Sequence, residues 1–376
     1  MSGAAMNRPF QQDCVELLAA KLARGQLDRR SFIEAAALAL AGAPLALRPL
    51  RAAAAERTLV FVNWGGDALR AYDQAYGQAF QRQSGVTVRQ DGSGPTEGAI
   101  MAQFKSGRPT WDIVDADPFS AVTLGRRGMI EPIDYRIVDR SRMRSGFGWD
   151  YAASSYFYSY VIAYDASRFG GRAPAGMADF FDTRKFPGKR SMYKWGAGMW
   201  EAALLADGVA PARLYPLDLK RAHDKIAGFR EHVVSYWGGG ADSQQILMNG
   251  DASMALIWST RASVLERDTD AQIRFTWEQG LIAPGAMAVI KNNPAGSDTA
   301  MKFIASTQDP RKQLIAFELM GQGPANPATD ALIAPDKRRI NPMDPVNVAR
   351  QVALDMSWYA DNYGAALDAY TRIISA

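Results

Sequence analysis

Cysteine, histidine and long apolar runs are scarce in this chain. One cysteine, Cys14, occurs in 376 residues, and it lies in the front segment. The rest of the chain therefore has no means of forming an internal disulfide, a thiolate metal site or a cysteine nucleophile. The two histidines, His223 and His232, fall nine apart in "LKRAHDKIAGFREH". That stretch reads as a solvated helix face, so no metal centre or other cofactor is expected. G-x-S-x-G, H-E-x-x-H, Walker and dinucleotide fingerprints are all missing, which leaves the usual nucleophile–base pairs without residues. No later segment reaches the ~20 apolar residues of a membrane-spanning helix, so the mature chain is expected to be soluble. Neither sign of charge dominates. Residues 1–55 hold seven Lys/Arg against four Asp/Glu, and the remainder is nearly balanced, 36 against 35. Nucleic acid is not expected as a partner, because phosphate binding needs a basic face.

What is present at the front is an address. Arg29-Arg30 precede Ser31-Phe32-Ile33, an apolar run over 35–47 and the small residues Ala52 to Ala55. Paired arginines, a short apolar run and an A-x-A site make a bacterial secretory signal, and RR-x-F-I resembles the twin-arginine type. Residues 1–55 are expected to be a signal peptide cleaved near Ala55, with the folded protein exported to the periplasm. A membrane anchor is the competing reading of the same stretch.

The body alternates strand and helix. "TLVFVNW" is a predicted strand, and 68–83 a helix with Leu69, Tyr72, Tyr76 and Phe80 on one face. "VTVRQD" and "WDIVDAD" are further strands, with a helix after each. The grammar repeats from "SYVIAYD" through "KRSMYKW", a long helix "DLKRAHDKIAGFREHV", and "ASMALIWST". "IRFTWEQG" and "GAMAVIK" are read as two more strands, and the tail from Ala300 as helices. This pattern predicts an α/β fold with a mostly parallel sheet in two similar sections.

In open α/β sheets, ligands bind beyond the carboxyl ends of strands. Four strand ends here carry an aromatic residue: Trp64-Gly65-Gly66, residues 115–119, residues 195–198 and residues 258–261. Glycine lets backbone approach a ligand, and an indole gives it a flat apolar wall. Trp64, Phe119, Trp195 and Trp258 are candidate walls, and Tyr158, within Tyr156-Phe157-Tyr158, could add to them. Trp64, Trp195 and Trp258 also fit the core. Asp117 and Asp115, two apart on one pleat face, are candidate ammonium partners. Asp67 is a further candidate for the ammonium. Asp117 also fits a helix N-cap before Pro118, and Asp67 a cap over Ala68. Glu201 is a further acid, equally explained as a first-turn helix residue. Arg261 is the sharpest discriminator: a guanidinium in the cleft should meet a carboxylate or phosphonate, and one at the surface would signify nothing.

The residues "NWGG…AFQRQSGVTV", "TEGAIMAQFKSGRPTWDIVDADPFSAVTLGRRGMIEPID" and "MNGDASMALIWST" resemble periplasmic substrate-binding proteins of ABC importers, in the spermidine/putrescine-binding-like branch. The resemblance implies a two-lobed periplasmic binding protein fold (type II-like) with two crossover hinge strands. Lobe 1 would hold 57–163 plus 284–330, and lobe 2 would hold 164–283 plus 331–376. Hinges would fall near 158–164 and 284–290. It also implies that Trp64, Asp117, Phe119 and Trp258 lie at family ligand positions and that Tyr359 is near a C-terminal one. The acidic pair that a polyamine binder carries around 195–198 is missing, and Arg261 follows Trp258. The expected solute is therefore amine-bearing or zwitterionic: a polyamine, amino acid derivative or aminophosphonate. The expected partners are that solute and ABC importer membrane subunits, and the protein is expected to be a monomer and not an enzyme. An exported carboxylate-based hydrolase is the alternative, and a receptor-coupled sensor would use the same fold.

Overall fold

The computed structural model describes residues 57–376 and a few positions before them (18–19, 21–23, 27–28 and 31–32). Cys14, Arg29-Arg30, the apolar run and the cleavage site near Ala55 lie outside the described residues. The chain divides into two compact units, Met1–Ala55 and Glu56–Ala376, and the second contains the sheet.

β1 (Thr58–Val62) ends at the Trp64-Gly65-Gly66 turn. Gly65 adopts φ 71°, and a Cβ there would stand 2.9 Å from the Gly92 carbonyl oxygen, so the turn needs glycine for both conformation and space. The expected helix follows as α1 (Asp67–Tyr72), a π turn (Asp73–Gly77) and α2 (Gln78–Ser84), closed by Gly85 in the left-handed region. Then come β2 (Thr87–Asp91), α3 (Glu97–Lys105), β3 (Ile113–Ala116), α4 (Pro118–Arg126) and β4 (Ile130–Glu131). Alternation along β1 fixes the layers. Leu59 and Phe61 pack under α1 and α2, with Tyr72, Tyr76, Phe80 and Phe303, while Val62 packs on the opposite face with Ile100 and Leu124.

The second section is β5 (Ala153–Asp165), α5 (Met177–Phe181), β6 (Arg190–Tyr193), α6 (Met199–Ala206), α7 (Leu219–Phe229), β7 (Val233–Trp237), α8 (Gly240–Met248) and β8 (Met254–Trp258). It continues with α9 (Ser259–Asp268) and β9 (Ile273–Ile290). The chain closes with α10 (Ser297–Thr307), α11 (Pro310–Met320), β10 (Gly323–Pro324), α12 (Pro345–Val348), β11 (Val352–Ala353) and α13 (Met356–Ser375). Among the described residues, no helix is long and apolar enough to cross a membrane.

The main strand order is β2-β1-β3-β9-β5-β8-β6-β7. Two parallel trios, β2-β1-β3 and β8-β6-β7, flank an antiparallel central pair, β9 and β5. The strands of each trio end toward that pair's middle, where Tyr156 and Tyr158 lie.

The sheet is mixed and not mostly parallel as expected, because the two long crossover strands run antiparallel to each other and to their neighbours β3 and β8. Three local expectations also differ from the structure. The two strands read from "IRFTWEQG" and "GAMAVIK" are one strand, β9, of 18 residues. Pairing with β5 runs past Pro284, and the irregularity is absorbed as a bulge: Tyr160 pairs Leu281 while Ile162 pairs Thr276, with Gln279 at φ 55°. The long helix stops at Phe229, and its β-branched end, Val233-Val234, begins β7. Residues 258–261 are not a loop, because α9 starts immediately at Ser259 and sets Arg261 in its first turn.

Candidate functional site

The ends of β1, β3, β6 and β8 meet over β5. Trp64 donates its indole N–H to the Asp115 carbonyl at 3.1 Å and lies 5.7 Å from Trp258, edge to face. Trp258 in turn abuts Tyr193 at 5.4 Å and Tyr158 at 6.3 Å. Tyr72 and Tyr156 complete an aromatic shell around a narrow cleft. Such a lining favours a small, partly apolar solute.

Acids hold one wall. Asp115 is 3% exposed. It accepts the Tyr156 hydroxyl at 3.1 Å and the Tyr72 hydroxyl at 3.1 Å, and Gln322 Nε2 donates to that Tyr72 oxygen at 2.6 Å. Burial pushes its carboxyl up to about 7, against the opposing pull of the tyrosine hydroxyls. Asp117 accepts the Tyr158 hydroxyl at 2.9 Å and is pushed up to about 6, again chiefly by burial. Neither acid has a basic side chain at ion-pair distance among the described residues, so both are held by neutral donors alone.

Arg261 stands across from them, 1% exposed. One Nη2 hydrogen bond goes to the Gly65 carbonyl at 2.8 Å, Nη1 lies 3.8 Å from the Met320 sulfur, and Nε has no partner. Burial draws its pKa down. A Cβ on Gly240 would fall 2.2 Å from Nε, so α8 closes over the guanidinium only because that residue is glycine. Arg190 gives the measure of what Arg261 lacks. Also fully buried, Arg190 donates to the carbonyls of Phe180 (2.7 Å), Gly188 (2.8 Å) and Phe186 (2.6 Å) and to the Ser253 hydroxyl (3.0 Å). A buried guanidinium costs several kcal/mol unless its donors are matched. Arg190 is matched by the fold, and Arg261 is not.

The structure thus brings Trp64, Asp117, Tyr158, Trp258 and Arg261 to one cleft, together with Asp115. Trp195 lines an adjoining recess, its indole N–H donating to Gly238 at 3.3 Å. Asp67 stands outside both: it is the first residue of α1 behind an N-cap at Gly66, and it accepts Gln244 Nε2 at 3.1 Å. The cap expected of its side chain is not formed. Asp117 does occupy the N-cap of α4, but its carboxylate turns to Tyr158 and makes no cap bond. Phe119, Glu201 and Tyr359 are packed away from the cleft. Phe119 stacks on Tyr359 at 5.2 Å, and Tyr359 donates its hydroxyl to Glu201 at 2.8 Å and accepts the Gly198 N–H at 3.2 Å. Glu201, 0% exposed, also accepts Tyr215 at 2.5 Å, and burial raises its pKa. These groups tie α13 to α6. An aromatic or acid near a strand end meets either the cleft or the neighbouring helix layer, and here the C-terminal helix takes them.

Sequence reasoning missed Tyr72, Tyr193, Gln322 and Met320. Tyr72 was legible only as core, and its polar tip on a buried face was the available signal. Gln322 follows α11 with no pattern to mark it. Among the described residues no cluster of metal ligands occurs, and His223 and His232 have half- and part-exposed side chains.

Residues 75–338 match the family described as bacterial extracellular solute-binding protein. The gamma-aminobutyric acid-binding protein of Pseudomonas aeruginosa is 29% identical over 317 residues, covering 83% of this chain and 89% of that protein. The solved Atu4243-GABA receptor is 34% identical with a TM-score of 0.75, covering 84% of this chain and 97% of its own. An ABC transporter substrate-binding protein from Bradyrhizobium japonicum USDA 110 is 33% identical with a TM-score of 0.77, covering 84% and 99%. The strand order, the aromatic cleft at the strand ends and these matches lead to one assignment: the chain belongs to the bacterial extracellular solute-binding proteins, with the two-lobed α/β fold that captures a small solute for an ABC importer.

Proposed function

We propose that the solute is a small ω-amino acid, a zwitterion with its acid and amine at opposite ends of a short methylene chain. Arg261 takes the carboxylate, Asp115 and Asp117 take the ammonium, and Trp64, Tyr158 and Trp258 pack on the methylenes. The observation that carries this reading is the unmatched buried guanidinium of Arg261 facing acids held only by tyrosines. A plain polyamine has no group for Arg261, and a simple carboxylate has none for the acids. The relatives named for γ-aminobutyric acid support the same class.

In this proposal the lobes are 57–163 plus 284–330 and 164–283 plus 331–376, with β5 and β9 as crossover strands. The ammonium end then sits on lobe 1 and the carboxylate end on lobe 2, so the ligand ties the two together. Three protein hydrogen bonds support closure along the same seam: Gly240 N–H to Trp64 carbonyl (3.2 Å), Arg261 to Gly65, and Gln244 to Asp67. The protein acts as a monomeric carrier without breaking a bond. Export through the twin-arginine route rests on Arg29-Arg30 and the residues after them. No observation favours a hydrolase.

A thermal-shift and calorimetric panel tests the ligand class. β-Alanine, 4-aminobutyrate and 5-aminopentanoate are expected to bind, the best of them at least about a hundredfold more tightly than butyrate or putrescine, since each lacks one charged end. Equal binding of putrescine, or silence from every ω-amino acid, would refute the reading.

A further inference from the structure

Asp117 borders two spaces. Beyond it lies a second recess of about 270 Å³, and the two spaces share Trp64, Asp117 and Tyr193 as a common partition. The walls of the recess come from separate parts of the chain: Trp195 after β6, Glu97 and Pro95 at the start of α3, Ser120 on α4, and Tyr363 on α13. Arg261 has no share in it. Its lining is aromatic and acidic, with no basic side chain.

Glu97 is the distinctive group. Ser120 donates its hydroxyl to one carboxylate oxygen at 2.7 Å, and among the described residues no ion pair engages the other. Arg127 acts on it electrostatically without forming an ion pair. A first-turn glutamate suits the helix on its own account, but that does not explain a partly enclosed recess that shares three wall residues with the main cleft and is walled by Trp64, Trp195, Tyr193 and Tyr363. Two carboxylates, Asp117 and Glu97, thus border one aromatic space. That combination recognises an ammonium carried on an alkyl chain, through charge on the acids and through cation–π and methylene contact on the rings.

We infer that the outer recess bordered by Glu97, Asp117 and Trp195 is a second subsite, and that the solute class extends to ω-amino acids N-substituted with an aminoalkyl arm. In such a molecule the carboxylate reaches Arg261, the central secondary ammonium lies at Asp115 and Asp117, and the terminal ammonium passes Trp64 to Glu97. This inference rests on the proposed ω-amino acid reading and deepens it.

Calorimetry on the mature protein with three probes separates the two. The probes are 4-aminobutyrate, N-(3-aminopropyl)-4-aminobutyrate and a 4-aminobutyrate bearing a neutral polyhydroxyalkyl arm. The aminopropyl compound is expected to bind about tenfold more tightly than the parent. Glu97→Gln is expected to remove that increment while leaving the parent's affinity within about twofold. If the parent binds but the aminopropyl arm weakens binding, adds nothing, or adds affinity that survives Glu97→Gln, the second subsite is refuted and the primary reading stands. A preference for the neutral arm refutes the ammonium assignment equally. Failure of all three probes overturns the primary reading and this inference with it.

Discussion

Replacing Arg261 by methionine separates a ligand-binding arginine from a structural one, because the two roles predict different changes in stability and in affinity. In the unliganded chain the substitution removes a charge-assisted bond to the Gly65 carbonyl, worth about 1.5–3 kcal/mol. It also removes a buried guanidinium without a counter-ion, whose exchange for an apolar side chain of similar length is neutral or stabilising by about 1–4 kcal/mol. The two terms offset, leaving a stability centred near no change and within about 3 kcal/mol of the unsubstituted chain. Ligand binding loses the partner of a desolvated carboxylate, about 2–5 kcal/mol, or roughly 30-fold at the low end and over a thousandfold at the high end. Arg190→Met supplies the contrast. Four matched acceptors are stranded there, so it is expected to lower stability by about 3–5 kcal/mol. Denaturant melts and calorimetry with 4-aminobutyrate read both quantities. If Arg261→Met falls in stability as Arg190→Met does, and the folded fraction still binds ω-amino acids normally, the guanidinium is a strut and the proposed chemistry is wrong.

Three further outcomes follow from the same geometry. Asp115 and Asp117 have folded-state values of about 7 and about 6, above the usual carboxylate range. Between roughly pH 4 and 7 the folded chain therefore holds protons that the unfolded chain has released, and unliganded stability should fall as pH rises through that window, by about 7 kcal/mol at most. Affinity for the ammonium end should rise over pH 5.5–8 with proton release on binding, which calorimetry in buffers of differing ionisation heat detects; a flat profile would remove these acids from the site. Gly240→Ala puts a Cβ where the Arg261 Nε stands and should weaken ω-amino acid binding by about tenfold or more, with a smaller effect on folding; unchanged affinity would mean the guanidinium is free to shift. Tyr359→Phe removes the bonds to Glu201 and Gly198 and should cost about 1–2 kcal/mol of stability while leaving affinity within about twofold. A large loss of binding there would return the C-terminal helix to the primary site.

The alternation of strands and helices and the glycine turn behind Trp64 were both legible in the linear sequence. Each is recorded in local periodicity or in a backbone conformation that one residue type alone tolerates. The same locality made strand ends visible as places where Trp64, Asp117 and Trp258 could meet a solute. It could not say that Phe119, Glu201 and Tyr359 face the layer beneath α13, because an apolar or acidic strand end looks the same whether its neighbour is a cleft or another helix. Nor could it join β9 past Pro284, where pairing with β5 outweighs a local breaker. Arg190 and Arg261 are the sharpest instance. Arg190 opens β6 and Arg261 follows the end of β8, and only the tertiary arrangement of carbonyls around each decided that one guanidinium is matched by the protein and the other is left for a ligand.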